Sequence, residues 1–465
     1  MNIIKEKIFK NNPTRIIVFG FLVVVIVGTI LLCLPISSQN GKSINVLDAL
    51  FTATSATCVT GLVVVNTMEQ WTAFGKIVIF CLIQIGGLGF MTFIVLGSLA
   101  LHKKITLSDR LLIKESYNQN NIVGMVKYIK KIIFGTLFIE GIGAIFLAMA
   151  FIPLFGLKKG IVYGIFHSVS AFCNAGFDII SLESFIPYVD NALINITIFI
   201  LVILGGLGFM VWTDTIRVLK LKWSKKWSFT TAIKRLSLHS KIVYLSTFLL
   251  LAFGMLIFFV WESTNPYTMG HLSLKGKLLA SAMQSVTVRT AGFNSIVQGD
   301  MTEVSKFVSI LLMFVGASPG GTAGGIKTVT ISVLWIAVLS VVRGSKHTHV
   351  FKRNIPFSTL QKALAVFFIS LTMVLLITLL LSYTERNMII EHDFMDILFE
   401  TTSALGTTGI TTGITPYLSK IGRMIIIIAM FMGRIGPISI VIALTKKQNQ
   451  NKYQLQYAEE QIIVG

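Results

Sequence analysis

Four stretches of fourteen residues repeat one pattern: ALFTATSATCVTGL at 49–62, GIFHSVSAFCNAGF at 164–177, ASAMQSVTVRTAGF at 280–293 and ILFETTSALGTTGI at 397–410. Set end to end, each has glycine at its thirteenth place: Gly61, Gly176, Gly292 and Gly409, spaced by about 116 residues. One unit is used four times in one chain. The apolar part of each copy, roughly eleven residues, is too short to cross a bilayer, which takes about 20. It reads as a re-entrant hairpin that dips into the membrane and returns. A short helix entering this way brings its negative dipole end toward the midplane. The strand after it can then aim bare carbonyls at a shared axis. Four such strands make a ring of oxygens, the device that replaces a cation's water shell. Glycine suits the strand because it takes backbone angles that other residues avoid and puts no Cβ in the way.

The rest of the chain agrees with a membrane setting. Hydrophobic residues make up 54% and charged residues 13%, and several apolar runs reach the length of a bilayer helix. A net charge of +20 would suggest nucleic acid in a soluble protein. Here the basic residues gather in alternate loops: Lys103, Lys104, Arg110 and Lys114, then the run from Arg217 to Arg235, then 343–353. That is the positive-inside pattern. Cys33, Cys58, Cys81 and Cys173 lie in apolar or hairpin stretches with no CxxC pair, which favours neither a disulfide framework nor a zinc site. No soluble stretch is large enough to bind a nucleotide.

Apolar runs flank every hairpin: 16–34 and 76–101, 132–154 and 192–212, 242–260 and a broken 307–342, 363–381 and 424–444. The expected fold is all-α and integral to the membrane. Four covalently linked span–pore-helix–span repeats, at 14–101, 125–214, 240–343 and 357–445, surround a pseudo-four-fold central pore, followed by a tail at 446–465. Eight crossings put head, tail and inter-unit loops on one side, which the lysines and arginines make cytoplasmic. Lys158 and Lys159 are the exception, falling outside.

The filter-like endings VTGL, NAGF, TAGF and TTGI join the motifs GGLGF at 86–90, GGLGF at 205–209 and MGRIGP at 432–437. With them the chain resembles, over nearly its whole length, the Trk/Ktr/HKT superfamily of potassium transporters. The first span starts close to residue 1, as in the Ktr branch. The resemblance implies potassium uptake across a bacterial cell membrane, down the membrane potential, and potassium selectivity where all four filter positions are glycine. It implies a homodimer gated by a cytoplasmic nucleotide-binding regulatory subunit, an octameric ring. No cofactor is expected on this chain; potassium is the substrate and sodium a candidate activator.

The filter carbonyls would come from Val59, Thr60 and Gly61, from Asn174, Ala175 and Gly176, from Thr290, Ala291 and Gly292, and from Thr407, Thr408 and Gly409. Their side chains differ while the backbone role stays, which leaves the ring only pseudo-symmetric. Single glycines also serve close helix packing, but four at a near-constant interval favour the filter.

In unit three, GASPGGTAGGIK at 316–327 breaks the second span. Pro319 removes a donor, and Gly316, Gly320, Gly321, Gly324 and Gly325 each weaken a helix by about 1 kcal/mol. With Ser318, Thr322 and Lys327, this loop resembles the superfamily's intramembrane gate; a static kink is the competing reading. It mimics a phosphate loop only faintly, because Ile326 splits the glycine–lysine pair.

Arg434 stands where units one and two have Gly87 and Gly206. A charge at mid-depth costs about 2.5–3.5 kcal/mol on insertion scales and so faces a bundle interior. It either points into the pore and holds the broken loop or pairs to fix helix packing. Arg289 is expected to turn behind the third hairpin toward Glu400. Glu140 is expected to face a neighbouring helix or a dimer surface, and His167 to pack. Nothing resembles a catalytic constellation or a voltage sensor. A carrier with a broken solute-binding helix and a transporter less strict between potassium and sodium remain as alternatives; four same-oriented repeats favour a pore over the carrier.

Overall fold

A computed structural model describes residues 13–89, 92, 95, 124–181, 183–345, 347–388 and 392–436. The loop bearing Lys103 to Lys114 and the tail 446–465 lie outside these residues.

The described chain is almost wholly helical. In order come α1 (Pro13–Cys33), α2 (Val46–Cys58), α3 (Ala73–Leu88), α4 (Met125–Phe155), α5 (Leu157–Phe172), α6 (Ala192–Gly206), α7 (Phe209–Lys225), α8 (Phe229–Arg235), α9 (Leu238–Glu262), α10 (Leu274–Thr287), α11 (Glu303–Phe314), α12 (Thr328–Val342), α13 (Phe357–Thr384), α14 (Phe394–Gly406) and α15 (Lys420–Ile435). Four of them are long and apolar enough to cross a membrane: Arg15–Cys33 within α1, and α4, α9 and α13. The chain is a multi-pass membrane protein. The outward faces of these helices carry residues such as Phe134, Phe138, Phe248 and Phe368, each more than half exposed, as lipid-facing surface requires.

The hairpin helices α2, α5, α10 and α14 are the most deeply buried elements. Three of them start at side-chain caps: Asn45 accepts from Leu47 N–H, Ser273 from Gly276 N–H, and Asp393 and Asp396 form a reciprocal box, while α5 starts at Gly156. Some of their buried hydroxyls bond back one turn: Thr52 to Asp48 O at 2.9 Å, Ser281 to Lys277 O at 2.7 Å and Thr402 to Leu398 O at 2.7 Å. α2 packs against α1, α3 and α15.

One expectation fails. The second helices of units one and two do not run on through GGLGF. α3 stops at Gly89, with φ +78°, and α6 stops short of Gly208, with φ +90°, where the chain bends by 96° into α7. α15 ends in the same way at Gly436, with φ +90°. At 16 residues and about 1.5 Å each, α3 and α15 are roughly 24 Å long, less than a hydrocarbon core of about 30 Å. The positive φ cannot continue a right-handed helix, and three residues before each such glycine lies a second one in close contact. A Cβ on Gly86, Gly205 or Gly433 would strike the carbonyl of Thr57, Phe172 or Leu405, the last turn of the neighbouring hairpin helix. The motif is a docking notch followed by a turn, so the break foreseen only in unit three recurs in every unit. There it is longest: α11 and α12 are joined by 315–327, with a bridge between Val315 and Ile326.

Candidate ion-conduction site

The four hairpin helices end in one backbone conformation. The residue two before each glycine is left-handed: Val59 φ +56°, Asn174 φ +59°, Thr290 φ +74° and Thr407 φ +51°. The glycines follow at φ +99°, +68°, +81° and +88° for Gly61, Gly176, Gly292 and Gly409. Alternation of this kind turns successive carbonyls the same way, and the non-glycine members carry strain that their surroundings must hold. Part of that hold is a serine six residues before the glycine. Ser55 Oγ accepts from Gly61 N–H and Ser403 Oγ from Gly409 N–H, both at 3.1 Å, while Ser170 Oγ donates to Phe177 O at 2.7 Å. Unit three has Val286 at this place. The motif reading missed these serines, although their recurrence in three of the four copies was the signal.

The glycines meet in a closed cycle. A Cβ on Gly61 would lie 2.6 Å from Ala175 O, one on Gly176 2.6 Å from Gly292 Cα, and one on Gly292 2.9 Å from Thr408 O; one on Gly409 would strike Thr60 O. Unit one thus abuts two, two abuts three, three abuts four, and four abuts one. Val59, Thr60, Asn174, Ala175, Thr290, Ala291, Thr407 and Thr408 are all buried in the walls of this ring. On one side it opens into a cavity of 330 Å³ lined by all four glycines, Asp178 and Asn294. Asp178 is half-buried. Burial in the wall pushes its carboxyl up to about 7, with the Ser184 hydroxyl drawing it back down.

Loop 315–327 packs against the opposite ends of the hairpins. Ser318 N–H donates to Gly206 O at 3.0 Å, Thr322 N–H to Gly205 O at 3.2 Å, and Thr322 Oγ1 to Phe172 O at 3.1 Å. Gly316 sits on Gly324 O within the loop, Gly321 on the Gly205 carbonyl, Gly324 on the Thr407 side chain and Gly325 beside Gly406 O. Pro319 O faces Gly208, and Gly320 O accepts from Phe209 N–H at 3.0 Å. Lys327 folds its ammonium back onto Ala323 O and Gly324 O at 2.8 and 3.1 Å. Arg434 reaches the loop from unit four: its guanidinium donates to Thr322 O, to Gly86 O and, at 3.3 Å, to Gly87 O. It joins the loop to the end of α3.

Four other buried polar residues also find their places. Glu140 does not face outward; its carboxylate accepts from Gln84 Nε2 at 3.0 Å, bracing α4 against α3. His167 is a buried bracket, with Nδ1 2.7 Å from Tyr163 O and Nε2 accepting from Ile179 N–H at 3.3 Å, ringed by Phe151, Phe166 and Phe185. The expected Arg289–Glu400 pair is absent among the described residues. Glu400 accepts from Thr415, whereas Arg289 lies behind the third hairpin beside Asn174, Thr247 and Ala317. Its place in the copy directs it toward unit two's second helix rather than toward unit four.

The match over residues 6–456 is to the family described as TrkH, cation transport protein. The chain belongs to that family. It is 41% identical to the Ktr system potassium uptake protein B of Bacillus subtilis (strain 168) and 38% identical to the potassium/sodium uptake protein NtpJ of Enterococcus hirae, covering 100% of both chains in each case. Among solved structures, the potassium transporter TrkH from Vibrio parahaemolyticus aligns with a TM-score of 0.70 at 17% identity, over 92% of this chain and 84% of that one. That likeness is one of fold. Like its relatives, the family member described here is a transport protein, not an enzyme.

Proposed function

We propose that the protein takes up potassium through a channel-like pore whose selectivity filter is the ring of main-chain oxygens around Gly61, Gly176, Gly292 and Gly409. The closed cycle of glycine contacts carries this reading. It sets four equivalent backbones face to face, as a device that replaces a hydration shell requires. The uptake activity named for the Bacillus subtilis relative supports it. In this reading 14–101, 125–214, 240–343 and 357–445 are the four units around the pore. Loop 315–327 is the gate, held down by Arg434. Potassium is the substrate and sodium an activator. The chain works in the bacterial cell membrane as a homodimer with both termini cytoplasmic, under an octameric nucleotide-binding ring; the Ktr system named for its relatives supports a regulatory subunit.

A less strict potassium/sodium transporter is the second reading. The differing side chains at Val59, Asn174, Thr290 and Thr407 and the potassium/sodium name of the Enterococcus relative favour it. Growth rescue of a potassium-uptake-deficient bacterium, with rubidium uptake measured against rising sodium, tests both. Rescue with uptake raised, and never reduced, by sodium supports a strict filter with sodium as activator; sodium competition supports the second reading; failure to rescue by a correctly inserted protein rejects both. Deleting 318–324 should raise flux, and a fall in a folded variant rejects the gate.

A further inference from the structure

The face formed by α7 and α8 has no part in the pore. α7 leaves α6 at 96°, so if α6 stands across the bilayer, α7 lies along its surface. Ile216, Leu219 and Trp223 follow at i, i+3 and i+7 and share one side of α7; all three are exposed, Trp223 by 80%. At about 100° per residue, Lys220 falls on one flank of that stripe, and Lys226, the left-handed residue that caps α7, follows exposed at its end. Lys225 adds exposed charge at the end of α7, and α8 contributes Phe229, Ile233, Lys234 and Arg235, while Arg217 lies off this stripe, paired with Asp214. Lys222 rests over Phe229, and both Lys225 and Arg235 over Trp227, which binds the two helices into one basic-aromatic surface.

Asp214, the one acid between 209 and 235, points away from this surface. It bonds Ser237 N–H at 2.9 Å and Ser240 Oγ at 2.7 Å at the start of α9, and among the basic residues it meets Arg217. An apolar stripe with a large aromatic, edged by lysines that can snorkel, is the pattern of a helix seated in a headgroup layer.

From this we infer that α7–α8 binds anionic lipid headgroups, and that the bound leaflet holds loop 315–327 in place. The charge is complementary to an acidic leaflet surface. The connection to the loop is direct: Phe209, the first residue of α7, donates to Gly320 O at 3.0 Å, and Gly208 abuts Pro319 O. A leaflet that keeps α7 flat keeps this contact made. The link to flux rests on the reading of the loop as the gate; the lipid site does not.

The full-length protein is reconstituted in phosphatidylcholine vesicles with and without about a third phosphatidylglycerol, one lipid at a time carrying bromine. Quenching of Trp223 is taken as the difference between the wild type and Trp223→Phe. Brominated phosphatidylglycerol should quench at least about twice as strongly as brominated phosphatidylcholine at equal bromine density, and Lys220→Gln/Lys226→Gln should erase the difference. Equal quenching by the two lipids overturns the site. So does quenching that is lost when the cytoplasmic ring is bound and restored by its removal, since the surface then belongs to a protein. Rubidium flux from the same vesicles should rise about threefold when phosphatidylglycerol is omitted, and not in the double variant; an unchanged wild-type flux overturns the coupling. Absence of flux from every sample would overturn the potassium reading while leaving the quenching result intact.

Discussion

Replacing Gly61 with serine tests the filter in a way that separates backbone strain from ring geometry. Gly61 sits at φ +99°, where a side chain costs on the order of 1–2 kcal/mol. Gly413, at φ +107°, would carry the same strain, but a Cβ there meets nothing within 4 Å. At Gly61 the Cβ would stand 2.6 Å from Ala175 O, and ordinary contact begins at 3.4 Å. The carbonyl of the neighbouring unit must therefore retreat by about 0.8 Å, the difference of those distances, or Gly61 must withdraw from the ring by as much. Ala175 has no slack, being fully buried. In the proposed filter, a displaced ligand of a dehydrated cation would cost at least about 1.4 kcal/mol, a factor of ten. Rubidium uptake by Gly61→Ser should thus fall at least about tenfold, or lose its preference over sodium, while Gly413→Ser stays within about twofold of the wild type. Both variants should be checked for surface expression and for a monodisperse detergent elution profile. Equal uptake and equal ion preference in a folded Gly61→Ser would refute the ring, and equal damage from Gly413→Ser would show that strain alone is being measured.

Arg434→Ala removes charged donors to Thr322 O, Gly86 O and Gly87 O, each worth about 1.5–3 kcal/mol. Rubidium uptake without the regulatory subunit should rise several-fold, and a fall in a normally expressed variant would show that the arginine does not restrain the loop. Ser55→Ala loses the bond to Gly61 N–H, worth about 1 kcal/mol, so uptake should drop by less than about fivefold; Val286→Ala, which breaks no such bond, should change it less. The Asp178 carboxyl, held near 7, loses its negative charge as the external pH falls through that value. Potassium half-saturation should therefore rise between pH 8 and pH 6 in the wild type and stay flat in Asp178→Asn; a wild-type curve flat over that range would place the carboxylate outside the ion's path.

The sequence by itself determined that the chain lives in a membrane and that one hairpin recurs four times, because apolar length and a recurring pattern are properties of the string. The glycine spacing named the residues of the ring, and Pro319 among its glycines announced the break in unit three. GGLGF was a different case. Gly86 and Gly205 look like ordinary packing glycines until the carbonyls of Thr57 and Phe172 press on them, and those carbonyls belong to other helices. Likewise charge alone suggested pairing Arg289 with Glu400, but the hairpins meet as neighbours around a ring, so a side chain behind one faces its own flank and Glu400 finds Thr415 instead. Arg434 was legible as costly and as a residue that could hold the broken loop, but its reach to Gly86 O and Gly87 O of unit one was not, since those are backbone oxygens that any sequence would offer. Covalent repetition is written in the order of residues; which unit touches which, and through what oxygens, is fixed only when the four copies close on one another.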